Sequence, residues 1–546
     1  MPNTAKNASL ILFFVFAIVG SAQRSQRPGN ASVAVSQNHR HRVSTKNEEA
    51  QRFFDQGLTL IYALDYSEAA NAFQRAAALD PTMAMAYWGI SYSMSSDYYY
   101  PTPGDPVRER QAYEALQKAV TLSANGPQAE RAYISAVYKR FCACPNPDRQ
   151  KQAVEFKDAM RDLSQAFPDD LDAATLYAQS IMNLSPWDLW NPDGTPREET
   201  QEALSVLESV LKRDPHHLGA IHYYIHAVEA SPNPERALVY ANRLPSLSPP
   251  IGHLIHMPAH IYVRTGDYLA AEDACAKAAR IDDGHIQTAP SMFTVLSYLH
   301  DLYFLATAAS MDGHFLAAKD AADKLADRVA PHVQKMPELQ AFLTVPPTVL
   351  VRFHRWDEIL KLSAPDPNLK TANAMWHFAR GMALASTGKV ANAETEQRVL
   401  TDAMANIAPG EPFAMSAKVK THEILRIAVD VLAAKLAAAR HENNETVRQL
   451  KDAIAIEDGM KYSEPPGWFY PVRESLGAAL FLHGKTSEAE QTFREDLARN
   501  PRNPRSLFGL LQALRAQSKS YDATFVQAEF DAAWKGDPRQ LNLQSF

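Results

Sequence analysis

At 546 residues the chain exceeds what one simple hydrophobic core holds, so it either divides into domains or grows by repeating a unit. Apolar residues make up 46% and glycine only 21 positions, a balance that suits stacked helices. The formal charge of −7, with Lys and Arg dispersed, leaves no basic surface, and nucleic acid is not expected as a partner.

The chain opens on an export pattern: Lys6, the apolar run Leu10 to Val19, then Gly20, Ser21 and Ala22 ahead of Gln23. Cleavage is expected after Ala22, with no cysteine following to accept a lipid. The run falls short of the roughly 20 apolar residues a bilayer-spanning helix needs. An exported protein, periplasmic or secreted, follows, with no membrane span once residues 1–22 are removed. Residues 23–46 are rich in Gln, Ser, Arg and Asn and predict a disordered leader. His39 and His41 fall inside it and are a weak metal motif there, with order expected from Asn47.

From residue 47 to 535 the chain predicts an all-α fold of helix-turn-helix units. Phe53, Gly57 and Leu60, then Ala69, Phe73 and Ala76, closed by Pro81, fit the tetratricopeptide (TPR) pattern of about 34 residues. Gly477, Leu480, Gly484, Ala489, Phe493 and Pro501 repeat it near the other end. Between them come Gly266 with Ala271, Gly313 with Ala318, and Gly388 with Ala393, while His354 takes the glycine place in Arg352-Phe-His-Arg-Trp-Asp357. Residues 97–150 and 410–465 are expected to be irregular, and 536–546 to form a C-terminal tail.

Two proline-rich aromatic segments, Tyr98 to Pro106 and Pro186 to Pro196, are long for turns and read equally as lids or as packing. Glu464 to Arg473 reads as rigid packing. The three cysteines rule out a disulfide framework. Cys142 and Cys144 read as reactive thiols on a surface loop, although pairing or a soft metal stays open, and Cys275 reads as core.

Between residues 215 and 315 lies the strongest functional signal. His222 and His226 recur 34 residues on as His256 and His260, and seven of the 18 histidines fall between 216 and 260. Counting along each first helix, which lines the concave surface of such a unit, turns His222, His226, His253, His256, His260 and Glu229 inward. A third unit adds His300 and Tyr303. Imidazoles one turn apart suit a shared metal ion, and zinc, copper, iron and manganese all accept them. His216 and His217 are expected outside the site. Pro258 breaks the helical bonding beneath His260, and a kink that swings His253 and His256 into the groove is the favoured outcome. Candidate catalytic groups are Glu229 and Tyr303 for proton transfer and Arg264 as an anion clamp; Glu229 also suits ligation or orienting a histidine.

The run His253-Leu-Ile-His-Met-Pro-Ala-His-Ile-Tyr-Val-Arg-Thr-Gly-Asp-Tyr268, preceded by His222-Tyr-Tyr-Ile-His-Ala-Val-Glu-Ala-Ser231, resembles a family of bacterial tetratricopeptide-repeat proteins. The similarity extends through Trp376 to Gly381 and Glu464 to Arg473. It implies the solenoid fold and carries no substrate or reaction. Members often have a further histidine where this chain has Tyr303, so the resemblance does not carry a ligand role to that position. Two functions follow from the sequence: a groove that binds a transition metal, for binding or catalysis, or a scaffold that grips a peptide or partner segment in the same groove.

Overall fold

The computed structural model describes residues 39–95, 105–141, 148–191, 193–414 and 416–546. The export segment, the leader up to residue 38, Cys142, Cys144 and most of the Tyr98–Pro106 segment lie outside the described residues. The fold is all-α, an array of helix pairs, and the strands among the described residues are the short antiparallel pair Pro412–Phe413 and Ser416–Lys420. No described helix is long and apolar enough to cross a membrane. The chain forms two compact units: residues up to Ile261 with Lys277–Tyr298, and Tyr262–Ala276 with Leu299–Phe546.

In the first unit the pair Glu48–Tyr62 and Tyr66–Leu79 is followed by Ala84–Met94. Phe73, fully buried, fills the space between them because two neighbours lack a side chain. A Cβ at Gly57 would sit 2.7 Å from its ring and one at Gly89 2.3 Å, distances no packed carbon tolerates. The second unit uses the same device, with Phe493 held between Gly477 at 2.6 Å and Gly509 at 2.2 Å. Short polar side chains start the helices: Asn47 accepts from the backbone N–H of Glu49 and Ala50, and Asp65, Asp105, Asp148 and Asp170 cap later ones.

Tight turns follow one rule. In the second unit the first or second residue after the first helix adopts positive φ at Gly266, Gly313, His354, Gly388, His441, Gly484 and Ser518. The next N–H then bonds back five residues, as from Asp267 to Tyr262, His314 to Ala309, Arg355 to Leu350 and Lys485 to Leu480. Leu64 does the same in the first unit, where Asp65 bonds to Leu60. The other first-unit pairs, including Leu171–Met182 with Thr200–Arg213 and Leu218–Val228 with Leu238–Leu247, are joined by longer connections.

Three expectations are corrected or refined. Residues 39–46 are packed on the first unit, because His39 and His41 close onto a buried carboxylate rather than trailing as a leader. The predicted kink is present: Gly252–His256 ends at Met257 and a new helix starts at Pro258, which has no N–H to continue the ladder. The tail at 536–546 forms short helical turns, with Leu543 buried and Arg505 over the Phe546 ring at 5.1 Å. Cys275 is buried, as expected of a core thiol.

A candidate metal centre of five histidines

The Leu218–Val228 helix is buried along its whole length, which forces its two histidines to find partners inside the protein. His222 donates from Nδ1 to the Tyr62 carbonyl at 2.5 Å. A carbonyl oxygen only accepts, so the proton sits on Nδ1 and the lone pair of His222 is on Nε2. Glu229, at the end of the same helix, serves two rings at once. Its Oε1 lies 3.3 Å from His226 Nδ1 and its Oε2 lies 2.7 Å from His260 Nδ1. Burial alone would raise this carboxyl, but the imidazoles of His260 and His226 outweigh burial and hold it at about 2. An ionised carboxylate accepts only, so His226 and His260 also carry their protons on Nδ1.

The neutral rings of His222 and His226 therefore present Nε2 lone pairs, and the bent helix brings His253, His256 and His260 to meet them. His253 Nε2 lies 3.1 Å from His222 Nε2, and His256 Nε2 lies 2.9 Å from His260 Nε2. Ring centroids run His253, His222, His226, His260, His256 at steps of 4.9, 4.9, 5.3 and 4.8 Å. His222, His226 and His253 offer ligand atoms that all lie within 4.8 Å of one another. Two nitrogens each about 2.0 to 2.1 Å from one zinc ion would be roughly 3.3 Å apart in a tetrahedral shell, close to the separations seen. Burial, then the neighbouring His226 ring, pushes His222 well below its ordinary range, and burial lowers His226, so both stay neutral.

The 34-residue register brought the right helices together and mispaired their rings. His226 does face His260, but His222 meets His253, 31 residues on, because the break at Met257 advances the approach segment by a turn. Glu229 orients two histidines by their outer nitrogens. Within the Pro186–Pro196 segment, Trp187 adopts φ of 60° and sets its ring edge on His226 at 4.8 Å, while Trp190 Nε1 donates to the Ala227 carbonyl at 2.8 Å. The segment thus packs on the histidine helix, an arrangement that both the lid and the packing readings share.

His300, Tyr303 and Arg264 belong to the second unit. His300 sets its ring against Phe304 at 5.7 Å. Tyr303 is stacked on Phe469 at 6.3 Å, its hydroxyl 3.5 Å from the Pro466 carbonyl and driven above its ordinary range by burial. Arg264 lies over the Tyr462 ring at 5.6 Å.

Sequence reasoning missed a second polar cluster in the first unit. His217, expected outside any site, is buried and caps its helix: its Nδ1 accepts from the Ala220 N–H at 3.2 Å, while its Nε2 lies 3.2 Å from Asp172 Oδ1. Asp172 also receives the Tyr62 hydroxyl at 2.5 Å, His41 Nδ1 at 2.8 Å and His39 Nε2 at 3.0 Å. The one sequence signal was the acidic start of its helix, Asp169-Asp170-Leu171-Asp172.

No family model matches the chain, and no curated protein does. Solved structures of helical-repeat proteins do. A human IFIT1 dimer with m7Gppp-AAAA aligns at 13% identity over 90% of this chain and 91% of that one, with a TM-score of 0.34. Yeast Tom70 aligns at 14% over 92% and 95%, with a TM-score of 0.32. The TPR domain of P58(IPK) aligns at 11% over 86% and 99%, with a TM-score of 0.22. Likeness of this degree concerns the helical-repeat architecture and carries nothing about residues or ligands.

Proposed function

We propose that this is an exported helical-repeat protein whose first unit binds a transition metal through His222, His226 and His253, with His256 and His260 supplying a second nitrogen pair. One observation carries the reading: His222 and His226 spend Nδ1 on a carbonyl and a carboxylate, which leaves the Nε2 lone pairs of these neutral rings among the neighbouring histidines. Metal-binding histidines are typically held in this way, the outer nitrogen donating to a carbonyl or carboxylate. An all-imidazole set suits zinc or copper, and iron less exclusively, while manganese favours oxygen donors. Three nitrogens leave a fourth position open to water, and Glu229 orients rings instead of standing free as a base. The role supported is therefore metal binding; no reaction is assigned. The apolar segment Leu10–Val19 with Ala22 supports delivery to the periplasm or the exterior.

Elemental analysis of tag-free protein is the test. Near-stoichiometric metal is expected, lost together on His222→Ala and His253→Ala while the helical circular dichroism is kept. Absence of metal, with a melting temperature unmoved by added zinc or copper, overturns the reading.

A further inference from the structure

Residues 39–45 cross the first unit without regular secondary structure, with a bend at Ser44. His39, His41, Val43 and Thr45 are partly buried, while Arg40, Arg42 and Ser44 between them are exposed, the alternation of a chain with one face held. Its backbone is read by side chains. The His41 N–H donates to Asp55 Oδ1 at 3.1 Å and the Val43 N–H to Gln51 Oε1 at 3.2 Å, while Gln51 Nε2 returns a bond to the His41 carbonyl at 2.8 Å. Gln51 and Asp55, four apart on the Glu48–Tyr62 helix, form one clamp. Further along, the Ser44 N–H reaches Glu130 Oε1 at 2.6 Å and Thr45 Oγ1 reaches Asp80 at 2.6 Å.

Specificity comes from the histidines. His41 Nδ1 meets Asp172 Oδ2 at 2.8 Å with Asp170 behind it at 4.0 Å, and His39 Nε2 meets Asp172 Oδ1 at 3.0 Å. A metal held by His41, Asp170 and Asp172 is one rival explanation, tested by zinc against EDTA, and a metal held by His39, Asp172 and His217 is another. The tautomer of His217 argues against the latter: Nδ1 accepts the Ala220 N–H, so Nε2 bears the proton and offers no lone pair. The hold is mixed: carboxylates and the Gln51 clamp bind the imidazoles and the backbone, while His41 sets its ring against Phe54 and Tyr133, and Val43, the one large apolar side chain in the segment, packs on the core. The polar part of this hold is of a kind that water can replace.

We propose that the face formed by Gln51, Asp55, Glu130 and Asp172 is a recognition groove for an extended peptide bearing histidine or other cationic side chains at alternate positions, and that residues 39–45 are its built-in, displaceable occupant. The partner is a basic, histidine-bearing segment of another protein, matched to the acidic lining that the chain's own segment now fills. This stands apart from the histidine centre and survives its failure.

The probe is a fluorescent peptide of the sequence His39 to Lys46, added with EDTA to the full mature chain. His39→Ala/His41→Ala, which loosens the resident segment, is expected to bind the probe about tenfold tighter than the unaltered chain. Adding Asp172→Asn, or replacing both histidines of the probe by alanine, should cost at least about tenfold. Gln51→Ala removes the backbone clamp without touching Asp172 and should also weaken binding. The proposal is overturned if the loosened chain, still fully helical, shows no saturable binding, if binding ignores both Asp172→Asn and Gln51→Ala, or if it appears only when zinc replaces EDTA.

Discussion

Glu229 carries more of the candidate centre than any ligand does, because one carboxylate fixes the tautomer of two rings. Glu229→Gln keeps the shape but substitutes an amide that accepts through one atom only, so one of the two imidazoles loses its Nδ1 acceptor. Metal affinity is expected to fall about 10- to 100-fold, the usual cost of losing an outer partner, measured by competition with a chromophoric chelator. An unchanged affinity would mean the carboxylate merely fills space. His41 offers a second test at this scale. Burial lowers its pKa, but Asp172, Asp170 and Asp55 outweigh that and lift it to about 9. The facing groups are those three carboxylates, the His39 ring, and the Phe54 and Tyr133 rings at 6.0 and 5.5 Å. A base whose folded pKa is raised stabilises fully below the unfolded value near 6.5 and loses that contribution as pH climbs through about 9. Trypsin cleavage at the exposed Arg40 and Arg42 should therefore accelerate between pH 7 and pH 9.5 beyond the enzyme's own pH response on a free peptide; equal acceleration of both would refute the imidazolium pairing.

Among the elements, the amino-acid sequence makes legible what periodicity and turn chemistry encode locally. Gly57 with Phe73, Gly477 with Phe493, the glycine turns and His354 in a glycine's place all fall where the pattern puts them. Pro258 announces the break, and only its consequence, the His222 to His253 pairing, needs coordinates. Illegible are the roles of His39, His41 and His217, because periodicity reports which face of a helix is apolar and says nothing of a distant segment laid across it. His41 and Asp172 are 131 positions apart. The repeat geometry makes its own prediction. His441 holds φ of 60° in an exposed turn, a conformation that costs a residue with a Cβ about 1–2 kcal/mol. His441→Gly should raise the melting temperature, whereas Gly509→Ala, driven into Phe493 at 2.2 Å, should cost about 1–3 kcal/mol. The two variants moving the same way in calorimetry would contradict the turn-and-anchor account.

For the whole molecule, both units bury ionisable groups, some paired with opposite charge and some left protonated by burial. In the second unit Arg352 and Glu474, both almost fully buried, form a two-point ion pair, with Asn503 Nδ2 bonded to Glu474 at 2.8 Å and to Asp496 at 2.7 Å. The first unit, beside its histidine-paired Asp172 and Glu229, buries two carboxyls with no cation beside them among the described residues: burial lifts Asp65 to about 7, and burial with the nearby Asp65 lifts Asp282 to about 8. An acid whose folded pKa is raised stays protonated in the fold while the unfolded chain ionises near 4, so stability falls from about pH 4 up to the folded value. Asp282 sits against the Gly252 backbone at the start of the histidine segment, where a Cβ on Gly252 would come within 2.1 Å of its Oδ1. Asp282→Asn removes the titration while keeping the volume. Its melting temperature should match the parent near pH 4 and exceed it increasingly up to pH 8, by the equivalent of a few kcal/mol at most after allowance for relaxation around the site. A parallel pair of curves across that range would show that Asp282 is already ionised in the fold, and that a cation or a proton donor must then stand beside it at the mouth of the histidine segment.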